Sequence, residues 1–471
     1  MSSAYRLPVF LLGALLAWMV QPGVAQSRQQ DLNREFQAAV AAYNAGQLPE
    51  AASKLEALVP RVPKSFEAHE LLGMVYAAES RDEDAIRQLE IAVQLKPDSA
   101  AARTNLAASL FHAHRNLQAG EEFRKALALE PNDYSANHNL AQFYIHAGNL
   151  AQAQPLLARA QQIKPDAYDN GYDLVMADFL LGKLADARSV ADSLLKQRDT
   201  GELHNLLGQI DEKEGKYVDA VNEFEAAAHL DPSEQNIFAW GSELLLHRTY
   251  EPAIEVFRAG TQHYPKSVRL QIGLGMALYA RGLYEGAMTA LMRAIDLRPT
   301  DPHGYAFLSR AYESSPKQAT EVIQHFQRYA ALEPNNAKAQ YYYAMSLWKG
   351  KQLEDSDLDV PKVEALLKKA IALDGSLAEA HLQLGNLYAD QHEYQKSIPE
   401  YQRALSLDPS LSDAHYRLAT DYVHVGQKDQ ARKEFAIYQK LRSQHMAESD
   451  KERAEIKQFV VSSNRSAPAM P

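Results

Sequence analysis

The strongest constraint on this chain is that its sequence repeats itself. Alanine returns at intervals of 34 residues and later of 33, 33 and 34 residues: Ala51, Ala85, Ala119, Ala153, Ala187, Ala220, Ala253 and Ala287. Proline recurs with the same period: Pro63, Pro97, Pro131, Pro165, Pro232, Pro265, Pro299, Pro334 and Pro409. Small residues precede most of these alanines by twelve positions: Ala39, Gly73, Ala107, Ala141, Gly208, Gly241 and Gly275. Three markers in one phase indicate a single structural unit copied along the chain.

Residues 66–99 show what one unit is. Apolar side chains fall three and four residues apart on both sides of a polar break at residues 80–82, which predicts two amphipathic helices. Pro97 lacks the N–H that would extend the second helix, so the helix ends there. Each helix has about fourteen residues, which is too short for stability alone in water. The unit is therefore a helical hairpin that needs neighbours.

A helical hairpin repeated about every 34 residues resembles the tetratricopeptide repeat. The resemblance rests on Leu72-Gly73, Tyr76, Ala85, Leu89, Ala92 and Pro97, and on their copies in later units. It implies an all-α fold, a right-handed α-solenoid of stacked helix-turn-helix units over residues 26–445. About twelve units are expected. Their starts fall near residues 32, 66, 100, 134, 168, 201, 234, 268, 302, 337, 378 and 412.

The N-terminal residues 1–25 have the pattern of a secretory signal peptide. Arg6 precedes an apolar run, and small residues lead up to a cleavage site between Ala25 and Gln26. The alternative is an uncleaved anchor, but the run of about fourteen residues falls short of the roughly twenty that span a bilayer. The pattern predicts an exported protein, periplasmic or secreted and bacterial, without stable membrane insertion after cleavage.

Two segments depart from the repeat. Residues 350–361 are an acidic insertion in the tenth unit, and Val360 and Leu366 stand where a calcium loop needs glycine and glutamate, so a solvated loop is favoured. Residues 446–471 follow the last unit. They are expected to form a capping helix up to about residue 459 and then a disordered tail, because open solenoid ends need a polar cap.

Composition limits the chemistry that the chain can perform. It contains no cysteine, which excludes disulfides, thiol catalysis and cysteine-ligated zinc. The formal net charge is −11, and loss of Arg6 with the signal peptide would make it −12. An acidic excess argues against nucleic acid as a partner.

The sequence gives no support for an enzyme. The repeats leave no room for a separate catalytic domain. His69-Glu70 resembles a zinc-protease motif, but its second histidine is replaced by Gly73. His112 and His146 lie in register without a third ligand. Position 4 of the units, a helix-packing site in the family, holds His69, His204, His381 and His415. We therefore expect no catalytic residue, no metal and no cofactor.

The resemblance instead implies a partner-binding groove, lined by positions 2, 5, 9, 12 and 13 of the first helices. Carried over unit by unit, these positions predict a groove rich in aromatic residues and methionine: Tyr172, Met176, Phe179, Phe238, Met276, Tyr279, Arg310, Tyr341, Met345 and Trp348. Apolar and polar residues stand among them: Asn205, Gln209, Leu245, Leu246, Ile272, His303 and Glu313. Large apolar side chains in a concave surface suit an extended peptide or a partner helix.

Three classes of function remain open at this point. The favoured one is a non-catalytic scaffold that binds a protein or peptide partner in the cell envelope. The second is a glycan-binding or polysaccharide-export accessory protein, because aromatic faces also stack on sugar rings. The third is an enzyme, for which the sequence shows no recognisable set of catalytic residues.

Some family members bind a C-terminal carboxylate through lysine and asparagine. Here Asn105 and Asn139 are present, but Glu70, Thr104 and His138 stand at the lysine sites.

Overall fold

The computed structural model describes residues 24–351 and 359–443, and within them the chain folds into helices and turns. The helices to the end of the fifth repeat are α1 Val24–Asn44, α2 Leu48–Leu58, α3 Phe66–Ala78, α4 Asp82–Leu95, α5 Ala100–His112, α6 Asn116–Leu129, α7 Tyr134–His146, α8 Leu150–Ile163, α9 Tyr168–Leu180 and α10 Leu184–Leu195, with a 3₁₀ turn at Val59–Arg61. The next are α11 Gly201–Lys213, α12 Tyr217–Leu230, α13 Glu234–Leu246, α14 Tyr250–His263, α15 Val268–Ala280 and α16 Tyr284–Leu297. The remainder are α17 Pro302–Ser314, α18 Ala319–Leu332, α19 Ala337–Lys351, α20 Val360–Leu373, α21 Ala378–Asp390, α22 Tyr394–Leu407, α23 Ser412–His424 and α24 over 428–443.

The helices pack as a run of hairpins. The first helix of a repeat packs on its own second helix, as α3 does on α4, and the second helix packs on the next first helix, as α4 does on α5. Within each unit, several first helices also touch the next first helix along the chain, as α3 does α5 and α13 does α15. The chain divides into two compact units, residues 1–190 and 191–471, with the boundary inside α10. Each unit has its own buried apolar clusters.

A small residue at position 8 lets the two helices of a hairpin approach closely. A Cβ atom added to Gly73 would lie 2.5 Å from Cγ of Leu89, sixteen residues further on in the second helix. The same spacing recurs in the following pairs: Gly208 with Phe224, Gly241 with Phe257, Gly275 with Leu291 and Gly385 with Tyr401. The recurring small residues are therefore required by the packing of each hairpin, because a side chain would overlap the facing residue.

Most first helices end at a residue with positive φ, which starts the turn into the second helix. Glycine takes this role at several turns, including Gly148 (φ 71°) and Gly282 (φ 85°). In other repeats the residue is not glycine, as at Ser80 (φ 59°) and Arg248 (φ 58°). The residue after it donates its N–H back into the helix, as Asn149 does to the carbonyl of Tyr144 at 2.8 Å. This hydrogen bond satisfies a carbonyl that the helix end leaves open and fixes the hairpin turn.

In six repeats, the residue at position 4 ties the hairpin to the loop that precedes it. The side chain there donates to, or shares a hydrogen bond with, the proline carbonyl six residues earlier: His69 to Pro63, Arg103 to Pro97, Asn137 to Pro131, Tyr305 to Pro299, Gln340 to Pro334 and His415 to Pro409. Several of these side chains also pair with the second helix nineteen residues on, such as His415 with Glu434 at 2.5 Å. The position-4 histidines are packing residues, as the sequence predicts.

The structure confirms an all-α solenoid of stacked hairpins. First helices begin at Phe66, Ala100 and Tyr134, where the sequence analysis starts its second, third and fourth units. The handedness of the superhelix stays a prediction. Most of the proposed signal peptide, most of the acidic insertion and the C-terminal cap lie outside the described residues. In the described part of the chain, no helix is both long and apolar enough to cross a membrane.

The close approach at position 8 predicts opposite effects at two glycines of the eighth repeat. Gly275→Val forces atoms against buried Leu291 and should lower the local free energy of opening by about 1–3 kcal/mol. Gly286→Ala, whose added Cβ meets Leu278 at an ordinary 3.4 Å on an exposed helix turn, should raise it by at most about 1 kcal/mol. Native-state hydrogen exchange of α15 and α16 measures both. Equal effects at the two glycines would contradict the packing argument.

Candidate binding grooves

The described part of the chain contains two large grooves, one within each compact unit. The first, here called the central groove, has a volume of about 660 Å³ and is formed by the first helices α13, α15 and α17 with the loops before them. The second, here called the N-terminal groove, has a volume of about 760 Å³ and is formed mainly by α1, α3, α5 and α7. Both are lined chiefly by residues of first helices.

The floor of the central groove is apolar. It consists of side chains from three successive repeats: Phe238, Leu245, Leu246, Ile272, Met276 and Phe307. Most of them are half-buried, because they also pack on the buried cluster of the 244–343 region. Leu246 is the exception at 61% exposed. An exposed leucine beside half-buried aromatic and thioether groups marks a surface that gains stability when a ligand covers it.

Charged groups surround this apolar floor. Arg269 Nε lies 2.7 Å from Glu234 and the guanidinium stands over the Phe238 ring at 5.4 Å. The Ser267 hydroxyl donates to the same Glu234 carboxylate at 2.5 Å. The Ser267 hydrogen bond and then Arg269 hold the pKa of Glu234 below its ordinary value, outweighing partial burial. Lys266, which is exposed, makes no ion pair with any described residue.

The far end of the central groove carries a second charged group. Asp301 caps α17 and lies 2.8 Å from the His303 ring and 3.6 Å from Arg298. Partial burial alone would raise the pKa of Asp301, but hydrogen bonds from the His303 backbone and ring, with help from Arg298, lower it. The lining thus holds three cationic residues, Lys266, Arg269 and Arg298, against two carboxylates.

The N-terminal groove has a different chemistry. Its polar lining is made of amide, hydroxyl and imidazole groups: Asn44, Asn105, Ser109, His112, Asn139, Gln142 and His146. Its apolar lining mixes rings with small residues: Tyr43, Phe111, Phe123, Phe143, Ala45, Gly46, Ala77, Ala78 and Ala108, with Leu48, Met74 and Leu89. In the part of the chain that the structure describes, no Asp, Glu, Lys or Arg lines it, although the amide of Gln142 donates to the Asp173 carboxylate behind it.

One carboxyl group stands just behind this groove. Burial raises the pKa of Glu70 to about 7, although the charge of Lys96 and a hydrogen bond with the Asn105 amide favour the ionised form. Glu70 does not line the groove itself, but it hydrogen-bonds with Asn105, which does.

The groove residues predicted from the sequence are distributed unevenly in the structure. Phe238 and Met276 line the central groove together with Leu245, Leu246, Ile272 and His303. Arg310 lies beside it, 5.6 Å over the ring of Phe307, and Tyr279 is half-buried against the core near Tyr284. Tyr172 and Met176 are half-buried and line neither groove.

Three of the predicted groove residues are buried, which corrects the expectation that they face solvent. Phe179 is 7% exposed, Tyr341 is 9% exposed and Met345 is 3% exposed. Tyr341 and Met345 pack in one cluster with Leu367 and Leu384 from the helices that follow, so these helices cover them. Trp348 is partly buried against the same cluster. These side chains stabilise the stack and offer little surface to a partner.

The sequence analysis missed the N-terminal groove. The signal for it was present, because Met74, Ala108 and Gln142 occupy position 9 of successive repeats, and Phe111 occupies position 12. These are the positions that line the central groove as well. The aromatic and methionine residues that predict the central groove are sparser in these N-terminal repeats, where small and amide side chains alternate with them.

Over residues 24–351 and 359–443, no three side chains of the metal-ligating types converge. His112 and His146 both line the N-terminal groove, and His146 contacts the Phe111 ring at 5.5 Å. The geometry defines a class of protein: a helical-repeat protein whose first helices present binding grooves.

Comparison with known families identifies that class. The chain belongs to the tetratricopeptide repeat family. One tetratricopeptide repeat profile matches residues 110–168, 146–210 and 244–311. A second matches residues 36–100 and 83–133, and a third matches residues 378–411. Together the matches span more than half of the chain. The sequence matches none of the curated proteins with which it was compared.

Solved structures include similar chains. A Naa15/Naa10 complex bound to HypK-THB is 17% identical, with 86% of this chain and 68% of that chain covered, at a TM-score of 0.38. The Cut9–Hcn1 hetero-tetramer of APC/C is 16% identical, with 87% and 93% covered, at 0.38. PilF of Pseudomonas aeruginosa is 16% identical, with 45% and 96% covered, at 0.39. Similarity this low carries no information about function.

The raised pKa of Glu70 predicts a pH-dependent stability. The folded protein holds a proton on Glu70 up to about pH 7, whereas the unfolded chain releases it near the ordinary value of 4.5. The stabilisation is complete below pH 4.5, declines as the pH rises to about 7 and is constant above that. Glu70→Gln should therefore be more stable than the parent above pH 7, by about 1–2 kcal/mol, and match it below pH 4.5. Urea denaturation below pH 4.5 and above pH 7 gives the free energy of unfolding of the parent and of the variant. A stability difference between variant and parent that is the same at both pH values would contradict the prediction.

Proposed function

We propose that this protein is a non-catalytic scaffold of the cell envelope and that its central groove binds an extended segment of a partner protein. Members of the tetratricopeptide repeat family bind protein or peptide partners and are typically non-catalytic. The observation that carries the proposal is the apolar floor of the central groove, bordered by Lys266, Arg269 and Arg298.

The apolar floor indicates the kind of side chain that the partner brings. Phe238, Met276 and Phe307 come from three successive repeats, so a chain laid across the groove meets them in turn. Methionine and phenylalanine side chains accommodate varied apolar shapes, and covering them removes apolar surface from water. Leu246, largely exposed at the edge, becomes buried only when the partner is present.

The border of the groove indicates the charge of the partner segment. The whole chain has a formal net charge of −11, yet the groove lining has more cationic than anionic residues. Lys266 has no anionic partner among the described residues, whereas Arg269 is held in place by Glu234. A segment in which acidic residues flank apolar ones matches this lining, because its carboxylates lie near Lys266 and Arg269 while its apolar side chains cover the floor.

The envelope location rests on residues 1–25, whose pattern is typical of a cleaved signal peptide. The cleavage site between Ala25 and Gln26 falls in the first turn of α1. Cleavage there would remove two residues from the start of this helix and leave residues 26–44 to pack on α2.

The export proposal predicts a processed N-terminus. Expressed from Met1 in a Gram-negative bacterium, the protein should be recovered from the periplasm or medium with Gln26 as its first residue, as read by mass spectrometry. Ala25→Arg should block processing, since the cleavage site needs a small residue there, while Ala14→Val in the apolar run should be processed normally. If the protein is recovered in the membrane fraction with Met1 still present, the uncleaved anchor is favoured instead.

The groove proposal predicts selective binding of acidic, apolar peptides. A fluorescent peptide that alternates leucine and glutamate should bind the full chain more tightly than a leucine–lysine or a serine–glutamate peptide. Leu246→Glu, which places a carboxylate on the apolar floor, and Lys266→Glu, which reverses the unpaired charge, should each weaken binding by about tenfold. Fluorescence anisotropy measures the affinities.

A matched variant controls for general effects of a new carboxylate. Leu283→Glu alters a leucine that is also about half-exposed and belongs to the same repeats, but does not line the groove. It should bind the peptide as the parent does. If the three variants bind the leucine–glutamate peptide equally, or if the lysine peptide binds best, the central groove is not the proposed site.

A further inference from the structure

We infer that the N-terminal groove is a second binding site and that it takes a neutral oligosaccharide. The site is separate from the central groove in sequence and differs from it in chemistry. Four observations carry the inference: the absence of ionic side chains in its lining, its bifunctional polar groups, an unpaired buried hydroxyl and a floor of small residues between aromatic rings.

The lining excludes charged ligands. Among the described residues, no Asp, Glu, Lys or Arg lines the N-terminal groove, although such residues make up 23% of the chain. A carboxylate, phosphate or ammonium group placed there would lose its hydration without gaining an ion pair. A ligand that hydrogen-bonds without ionising avoids this loss.

The polar groups of the groove match hydroxyls. Asn139 presents a donor and an acceptor on one side chain, and a sugar hydroxyl likewise donates and accepts. The amides of Asn105 and Gln142 donate to the Glu70 and Asp173 carboxylates behind the groove, which leaves their carbonyl oxygens as acceptors. Asn105 and Asn139 stand at the same position of adjacent repeats, so they repeat along the groove as hydroxyls repeat along a glycan. The Ser109 hydroxyl, in a residue only 2% exposed, lines the groove and makes no hydrogen bond with any described residue. Because buried hydroxyls normally have a hydrogen-bond partner, a ligand is expected to supply the partner that Ser109 lacks.

The apolar part of the groove favours a sugar over a peptide. Ala77, Ala78 and Ala108 give a floor without deep pockets, whereas an extended peptide needs pockets for its alternate side chains. Phe111 stands beside this floor and is held by an edge contact with Phe143, with ring centroids 5.8 Å apart. The C–H face of a pyranose ring can lie on alanine and phenylalanine while its hydroxyls reach the amides at the side.

The test is binding of neutral oligosaccharides to the full chain. Maltohexaose, cellohexaose and chitohexaose are titrated by isothermal calorimetry, with hexagalacturonic acid as an anionic probe and a serine–alanine–asparagine peptide as a neutral peptide probe. At least one neutral hexasaccharide should bind, and the two other probes should not. Asn139→Leu should weaken that binding by about tenfold or more, because it removes a donor and an acceptor from the groove. Ala108→Trp, which fills the floor, should abolish it.

Two controls separate this site from general effects on the protein. Asn222→Leu alters an exposed asparagine on α12 that lines neither groove and should leave oligosaccharide binding unchanged. Leu246→Glu in the central groove should also leave it unchanged, while Asn139→Leu should leave the leucine–glutamate peptide affinity unchanged. The oligosaccharide test of the N-terminal groove and the peptide test of the central groove can therefore fail independently of each other. Absence of binding by all three hexasaccharides, binding that survives Ala108→Trp, or preference for the neutral peptide would overturn the inference.

Discussion

The two helices of many repeats are held together by the contact between a small residue at position 8 and a large one sixteen residues later. Gly73 against Leu89 and Gly385 against Tyr401 are examples, and neither glycine could carry a methyl group without displacing the facing side chain. The helices are too short to persist alone, so this contact makes the hairpin, and the hairpin then exposes a face that only another hairpin can cover. The stack follows from a pairwise contact repeated along the chain.

The sequence determined much of the fold because each repeat is a local structure. Helix ends could be placed from Pro97 and its copies, since proline removes a donor wherever it falls. The left-handed turn residues could not all be placed, because Ser80 and Arg248 occupy a conformation for which glycine is the usual signal. Tyr341 and Met345 were predicted to face solvent, yet later helices cover them. Whether a groove position stays open depends on the size of residues in the next repeat, which a single unit does not reveal.

The same positions of the repeat produce two grooves of opposite character. Position 9 holds Met74, Ala108 and Gln142 in the N-terminal groove, and Ser242 and Met276 in the central groove. Because the position-8 contact fixes the backbone, side chains at the exposed positions can change without disturbing the packing beneath them. The repeat therefore separates stability from recognition, and a chain of similar hairpins can carry sites for chemically different ligands.

The links at position 4 explain why such grooves keep their shape without a ligand. Asn137 binds the carbonyls of both Pro131 and Asp133, at 3.0 and 2.8 Å, which secures the loop between two hairpins to the helix that follows. Loops secured in this way hold neighbouring first helices in register, so a ligand meets a preformed surface and loses less conformational entropy on binding. His381 departs from the pattern. The residue six positions before it is Gly375, whose carbonyl accepts from Arg403, and the His381 Nε2 atom has no hydrogen-bond partner among the described residues. The junction before the eleventh repeat therefore lacks the link that Tyr305 makes to Pro299 beside the central groove.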